Sequence, residues 1–294
     1  MNILIAGGTG FIGSYLKSRF EQDGDTVRIV SRNKGEVSWS EDSLLEALKS
    51  SDILINLAGK SIQSRFTPKT KEQILRSRLD TTALLNQVFS KCDAPPRLWI
   101  NASATAIYDN LAKEPQHELS TQKADNFLSR VVESWEKEFF SVEWPAVRKV
   151  ALRTAVVLGE KGGVFPLMNS LAKFGLGGKQ GNGNQMFSWI LIEDYYRIIR
   201  FVVEHHEIEG VLNAAAPNPV SNREWMHQLK KSNHRRLAIP SPKWILSIAS
   251  YVFNFQPELV LDSTNVYSKK LKDSNFQFIA PNIDLALKYL NGEK

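Results

Sequence analysis

The chain has 294 residues, 43% hydrophobic and 23% charged, proportions of a globular protein with a sizeable core that exclude extensive disorder. Its net charge of +6 is interspersed with acids. The densest basic cluster, Lys230, Lys231, His234, Arg235 and Arg236, reads as a solvated helix end, so no nucleic-acid partner is expected.

A strand is predicted over Asn2–Ala6, where Ile3, Leu4 and Ile5 run together as in a parallel strand buried on both faces. Phe11–Gln22 has helical spacing, Thr26–Val30 is a second strand, Leu44–Lys49 a short helix and Asp52–Leu57 a third strand. A long helix follows over Lys69–Lys91, then a fourth strand over Arg97–Ala102, a helix over Ala124–Phe140 and a fifth strand within Ala146–Leu158. This alternation implies an α/β, Rossmann-type, doubly wound parallel sheet.

Beyond Gly159 the pattern loosens. Gly162-Gly163 opens a predicted helix through Phe174, and the glycine-rich run Gly175–Asn184 is a loop. Met186–Ile190 reads as a strand, Ile192–Glu204 as a helix and Gly210–Ala215 as a strand. Ser221 is an N-cap for a helix through Lys231, with Glu224 completing a capping box. The Pro-punctuated remainder, with helices over Trp244–Phe253 and Ile283–Leu290, forms a smaller C-terminal substrate lobe. The division is residues 1–235 and 236–294.

Cys92 is the lone cysteine and the five histidines lack ligand spacing, so neither an intrachain disulfide nor a metal site is expected. No basic-then-apolar leader precedes the first strand, and no apolar run reaches the roughly 18 residues of a membrane span. A cytoplasmic protein without membrane contact is expected. The sequence leaves oligomeric state open.

The motif that carries chemistry is Gly7, Gly8, Thr9, Gly10, Phe11, Ile12 and Gly13, directly between strand and helix. In that context glycines permit a sharp turn and close approach of a pyrophosphate to the helix's first amides. About 20 residues on, nicotinamide adenine dinucleotide sites place an acid against the ribose 2′-hydroxyl. Here Ser31 and Arg32 stand instead, which suits a 2′-phosphate and predicts NADP(H) over NAD(H). Leu57, Ala58 and Gly59 end the third strand where small residues let a cofactor approach.

These segments resemble the extended short-chain dehydrogenase/reductases. The match narrows with Ser77–Thr82, Arg153–Gly159, Gly177–Gln185, Trp189-Ile190 and Asp194 to an atypical epimerase-family branch, described as NADP-dependent oxidoreductases or cell-division-inhibitor-like proteins. Pro257–Leu261 and Phe276–Phe278 resemble that branch's small C-terminal domain of unknown function. The resemblance implies cofactor contacts at the glycine motif, Ser31, Arg32, Leu57, Ala58, Arg78 and Val157.

Typical relatives use Ser, Tyr and Lys, the last two as Tyr-x-x-x-Lys on the helix after the fourth strand, where Lys and the cofactor charge lower the Tyr pKa. Here Phe127 or Leu128 replaces Tyr, and Val131 or Val132 replaces Lys. Ser103 matches the family's hydrogen-bonding serine, and Tyr108 is either a substitute proton donor, if burial or the cofactor charge shifts its pKa, or a tyrosine that packs its loop. Gln185 and Trp189 are predicted to line a substrate pocket, although Leu191 stands where relatives carry His. The expected function is an NADP-dependent oxidoreductase or epimerase-like isomerase acting on a small carbonyl or hydroxyl compound, a class that includes sugar nucleotides. The alternative is a non-catalytic NADP(H) sensor linked to cell division.

Overall fold

The computed structural model describes residues 1–33, 35–175, 177–235, 239–242, 256 and 258–293. The predicted helix over Trp244–Phe253 lies outside them, as do Arg236 and Pro257.

Six strands form one sheet in the order β10-β5-β4-β3-β1-β2. They are β1 (Asn2–Ala6), β2 (Thr26–Val30), β3 (Ile53–Asn56), β4 (Leu98–Ala104), β5 (Arg148–Thr154) and β10 (Gly210–Ala214), and every pairing is parallel. Alternate side chains supply two cores. Ile3, Ile5, Ile55, Ile100 and Leu152 pack with α1 (Phe11–Gln22) and α6 (Ile192–Glu204). Leu4, Leu54, Trp99 and Ala151 pack with α2 (Glu41–Lys49), α3 (Pro68–Phe89) and α4 (Phe127–Phe139). The doubly wound sheet read from the sequence is the one observed.

Five local expectations change. The fifth strand is two. After Ala155 donates to Ala214 O (3.0 Å), Val156 turns to Ser188 O (3.2 Å), and β6 (Val156–Gly159) leaves the main sheet. It pairs with β7 (Gly162–Gly163) and β9 (Trp189–Leu191). The apolar run is unbroken across both, so composition hides the departure. Gly162-Gly163 therefore close a hairpin, and α5 starts at Phe165 (Phe165–Lys173) with Pro166 in its first turn. The strand expected over Met186–Ile190 is interrupted at Ser188. β8 (Met186–Phe187) pairs with β11 (Val220–Ser221), while β9 pairs with β6. Helix α4 starts later than the sequence pattern suggests because the Asn126 side chain accepts from Ser129 N (2.9 Å) and sets the N-cap there. On α7 (Asn222–Ser232), Ser221 caps Glu224 N as expected, but the Glu224 carboxylate accepts from Gln228 rather than completing the box.

The C-terminal segment is sewn into the rest. Residues after 263 run between the loop following β4 and the β8–β9 segment. Gln116 N donates to Asn265 O (2.8 Å), Tyr267 N to Gln116 O (3.0 Å), and Thr264 N to Met186 O (2.9 Å). Glu118 accepts from Ser268 Oγ and from Lys269 N at the start of α9 (Lys269–Asp273), which follows the short helix α8 (Glu258–Leu261). Asp194, fully buried in the first turn of α6, accepts the amides of Ile279 (2.8 Å) and Ala280 (3.0 Å). The last helix, α10 (Ile283–Leu290), shares a core with α5, α7, Leu158 and Trp189.

Lys149 anchors the far end of α4. Its buried ammonium donates to Phe139 O (2.6 Å) and Val142 O (2.8 Å) and lies over the Trp99 and Phe139 rings. Burial lowers its pKa from 10.5 to about 8. Between those values the unfolded chain binds a proton that the folded chain has released, so stability rises with pH. Relative to Lys149→Met, the wild type should gain about 2 kcal/mol between about pH 7.5 and about pH 9.5, read from urea unfolding at both; a pH-independent difference would contradict the buried ammonium.

Candidate functional site

The turn from β1 into α1 is built around glycines for specific steric reasons. Gly7 has φ +76°, and a Cβ there would lie 2.7 Å from Ala58 Cα. A Cβ on Gly13 would lie 2.4 Å from Gly8 Cα, so helix and strand pack closer than any side chain allows. Gly10 is different: its nearest neighbour would be Gly7 O at 3.9 Å. Gly10 is also the N-cap, no side chain caps the helix, and no acid stands in its first turn. The leading amides and the positive end of the helix dipole thus face open space beside exposed Thr9 and Gly10. Ile12 packs inward on the first core.

Phe11 has a role the sequence pattern does not reveal. Its ring lies on the β6–β7 hairpin, where a Cβ on Gly159 or Gly162 would come within 2.5 or 2.4 Å of it. These glycines make room for the ring that holds the start of α1 in place.

The neighbouring strand tips complete the cradle. At the end of β3, Asn56 accepts from Ala58 N (3.1 Å) and donates to Asn101 Oδ1 (2.7 Å), while Leu57 N donates to Ala6 O (2.8 Å). Gly59 is exposed, and a Cβ on it would sit 3.1 Å from the Arg78 Cζ. Arg78 projects from α3, donates to Lys60 O (3.1 Å) and Ile74 O (3.0 Å), and lies over the Trp135 ring. Among the described residues it has no carboxylate partner, and burial draws its pKa down to about 10. A desolvated cation with only carbonyl partners favours an incoming anion. On the other flank of β1, Ser31 and Arg32 follow β2; Ser31 is half-buried and Arg32 is exposed. The tips of β2, β1 and β3 are thus adjacent, as the glycine motif requires.

Ser103 and Tyr108 are brought together, but away from open space. Parallel register aligns Ser103, Arg153 and Asn213 across β4, β5 and β10. Ser103 Oγ donates to Glu136 Oε1 (2.6 Å), and Arg153 grips the same carboxylate twice (2.8 and 2.7 Å). Arg153 also donates to the Tyr108 hydroxyl (2.9 Å), which donates to Asn213 Oδ1 (2.8 Å). Tyr108 is only 4% exposed, and burial raises its pKa despite the adjacent guanidinium. The Tyr108 phenol therefore keeps its proton within a buried network, and its surroundings move its pKa up, where an acidified donor needs it moved down. Burial opposes the charge on Arg153, but its hydrogen bonds to Glu136 prevail and hold it protonated. Sequence reasoning did not foresee the Glu136–Arg153 pair. Its signal was the parity that puts Ser103 and Arg153 on one sheet face. On α4, Val131 and Val132 are buried, and Phe127 lies edge-on to Phe66 at 5.4 Å.

Of the two expected pocket residues, only Gln185 lines a cavity, one of about 490 Å³. Trp189 is 0% exposed, because β9 pairing with β6 turns it into the core with Leu158, Phe165 and Met168. The Val157 side chain likewise belongs to the first core. Among the described residues no His, Cys, Asp or Glu cluster could hold a metal.

Gly24 also has a positive φ (+85°), but a Cβ added there would meet nothing within 4 Å. Gly24→Ala should cost about 1 kcal/mol, the left-handed penalty alone. Gly7→Ala should cost about 3 kcal/mol or more, because the Ala58 backbone must also move. Urea unfolding of both variants checks this; equal costs would mean the Ala58 contact yields freely.

Comparison with known proteins agrees with this architecture. Residues 3–215 match the NAD dependent epimerase/dehydratase family, and residues 241–290 match a domain of unknown function, DUF1731. The epimerase family protein YfhF of Bacillus subtilis is 36% identical over 100% of this chain and 99% of its own length. The mouse epimerase family protein SDR39U1 is 33% identical over 98% and 99%. The crystal structure of human epimerase family protein SDR39U1 (isoform2) with NADPH superposes with a TM-score of 0.90 at 31% identity, covering 100% of both chains. With the family matched along most of its length and full-length relatives above 30% identity, the chain belongs to the NAD dependent epimerase/dehydratase family and carries a C-terminal DUF1731 domain.

Proposed function

We propose that the chain binds NADP(H) and acts as an oxidoreductase or epimerase-like isomerase on a small carbonyl or hydroxyl compound. The observation that carries this reading is the uncapped start of α1 near the half-buried Arg78, which has no carboxylate partner among the described residues. The human relative solved with NADPH supports the choice of cofactor.

The first amides of α1 take the pyrophosphate, with Gly10 leaving room for it and the dipole favouring its charge. Arg78 supplies a fixed cation beside Gly59, and Arg32 with Ser31 receives the 2′-phosphate. A nicotinamide bound in this cradle supplies the hydride chemistry. The chain's own contribution beyond binding is positional. Glu136 and Arg153 lock α4 to the carboxyl ends of β4 and β5, and Tyr108 retains its proton on the phenolic oxygen. The buried hydroxyls of Ser103 and Tyr108 favour the competing reading of a cofactor sensor without turnover, whereas the cavity at Gln185 favours a substrate.

Cofactor fluorescence titration tests the assignment. The wild type should bind NADPH about tenfold or more tightly than NADH. Arg78→Gln should weaken both about tenfold, and Arg32→Gln should weaken NADPH selectively. Equal affinities overturn the 2′-phosphate assignment, and absence of binding overturns the cofactor reading. NADPH oxidation against a carbonyl panel then separates enzyme from sensor.

A further inference from the structure

We infer that the cavity holding Gln185 recognises a small polyhydroxylated compound bearing a single anionic group, either a carboxylate or a phosphate monoester. The inference rests on the proposed function and names the substrate class of that site. The cavity, about 490 Å³, opens between the loop after β4, the glycine-rich loop and the start of the C-terminal strap. Its polar lining is Asn110, Lys113, Asn182, Asn184, Gln185 and Ser263.

The state of these groups sets the chemistry. Asn182 Oδ1 is committed to Asn184 N (2.9 Å), Gln185 Nε2 to Gln180 O (3.1 Å), and Ser263 Oγ to Met186 N (3.0 Å). Those bonds fix the wall. Asn184 Oδ1 accepts from Arg223 (3.3 Å), which leaves its Nδ2 as a donor. The Asn110 carboxamide and the Lys113 ammonium have no partner among the described residues. Carboxamides both donate and accept, as hydroxyls do, so a row of them matches a hydroxylated ligand. Lys113 supplies the lining's positive charge and suits one anionic group.

The test is calorimetric binding of glucose, gluconate, glucose 6-phosphate and UDP-glucose, with and without NADPH. NADPH affinity is measured on the same samples, so failure of the cofactor reading is scored separately. At least one of gluconate and glucose 6-phosphate should bind about tenfold more tightly than glucose, and the tighter of the two identifies the anionic group. Lys113→Gln should erase that tenfold gap, and Asn184→Ala should weaken every bound probe several-fold. Glucose binding as tightly as both anions, UDP-glucose binding more tightly than either, an unchanged gap in Lys113→Gln, or no binding by either anion overturns the inference.

Discussion

The approach of β1 and β3 at their carboxyl ends governs the rest of the site. Gly7 lies so close to Ala58 that its own Cβ could not be accommodated. That contact brings the start of α1 towards the β3 tip, and with it towards Gly59 and Arg78. The cradle therefore follows from backbone packing, with few side chains needed. Its charge comes from peptide dipoles and one desolvated guanidinium, an arrangement that binds anions without a dedicated pocket of lysines.

Much of this was legible in the sequence. Buried parallel strands are continuous apolar runs, and the helices between them have clear periodicity, so the order of elements and the sheet type followed directly. Ile192–Glu204 was bounded correctly from its pattern alone. The glycine turn was legible because steric demands restrict its residue types. Elements changed where tertiary pairing decided the outcome. Nothing local distinguishes Ala155 as the point where a strand leaves one sheet for another. Likewise, Trp189 looks like a pocket aromatic until the partner of β9 is known. The Phe11 contact with Gly159 and Gly162 joins residues far apart along the chain and has no local signature.

The polar network under β4 and β5 separates two ideas that sequence motifs join. A serine and tyrosine at family positions suggest proton transfer, but their hydroxyls are spent on Glu136, Arg153 and Asn213. A buried ion pair of this kind gives orientation more reliably than net stability, since desolvation offsets much of its attraction. Here it sets the spacing of α4 from the sheet. The apolar residues on α4 at the expected Tyr and Lys positions are consistent with a helix that serves packing.

The hold of Asp194 on Ile279 and Ala280 bears on the order of events during synthesis. The Rossmann strands emerge from the ribosome well before those two amides exist. Until they arrive, a carboxylate destined for complete burial must remain hydrated, and the first turn of α6 must stay accessible to water. Glu118 awaits Ser268 and Lys269 in the same way. The last segment made is thus the one that dehydrates two acids in the first-made body.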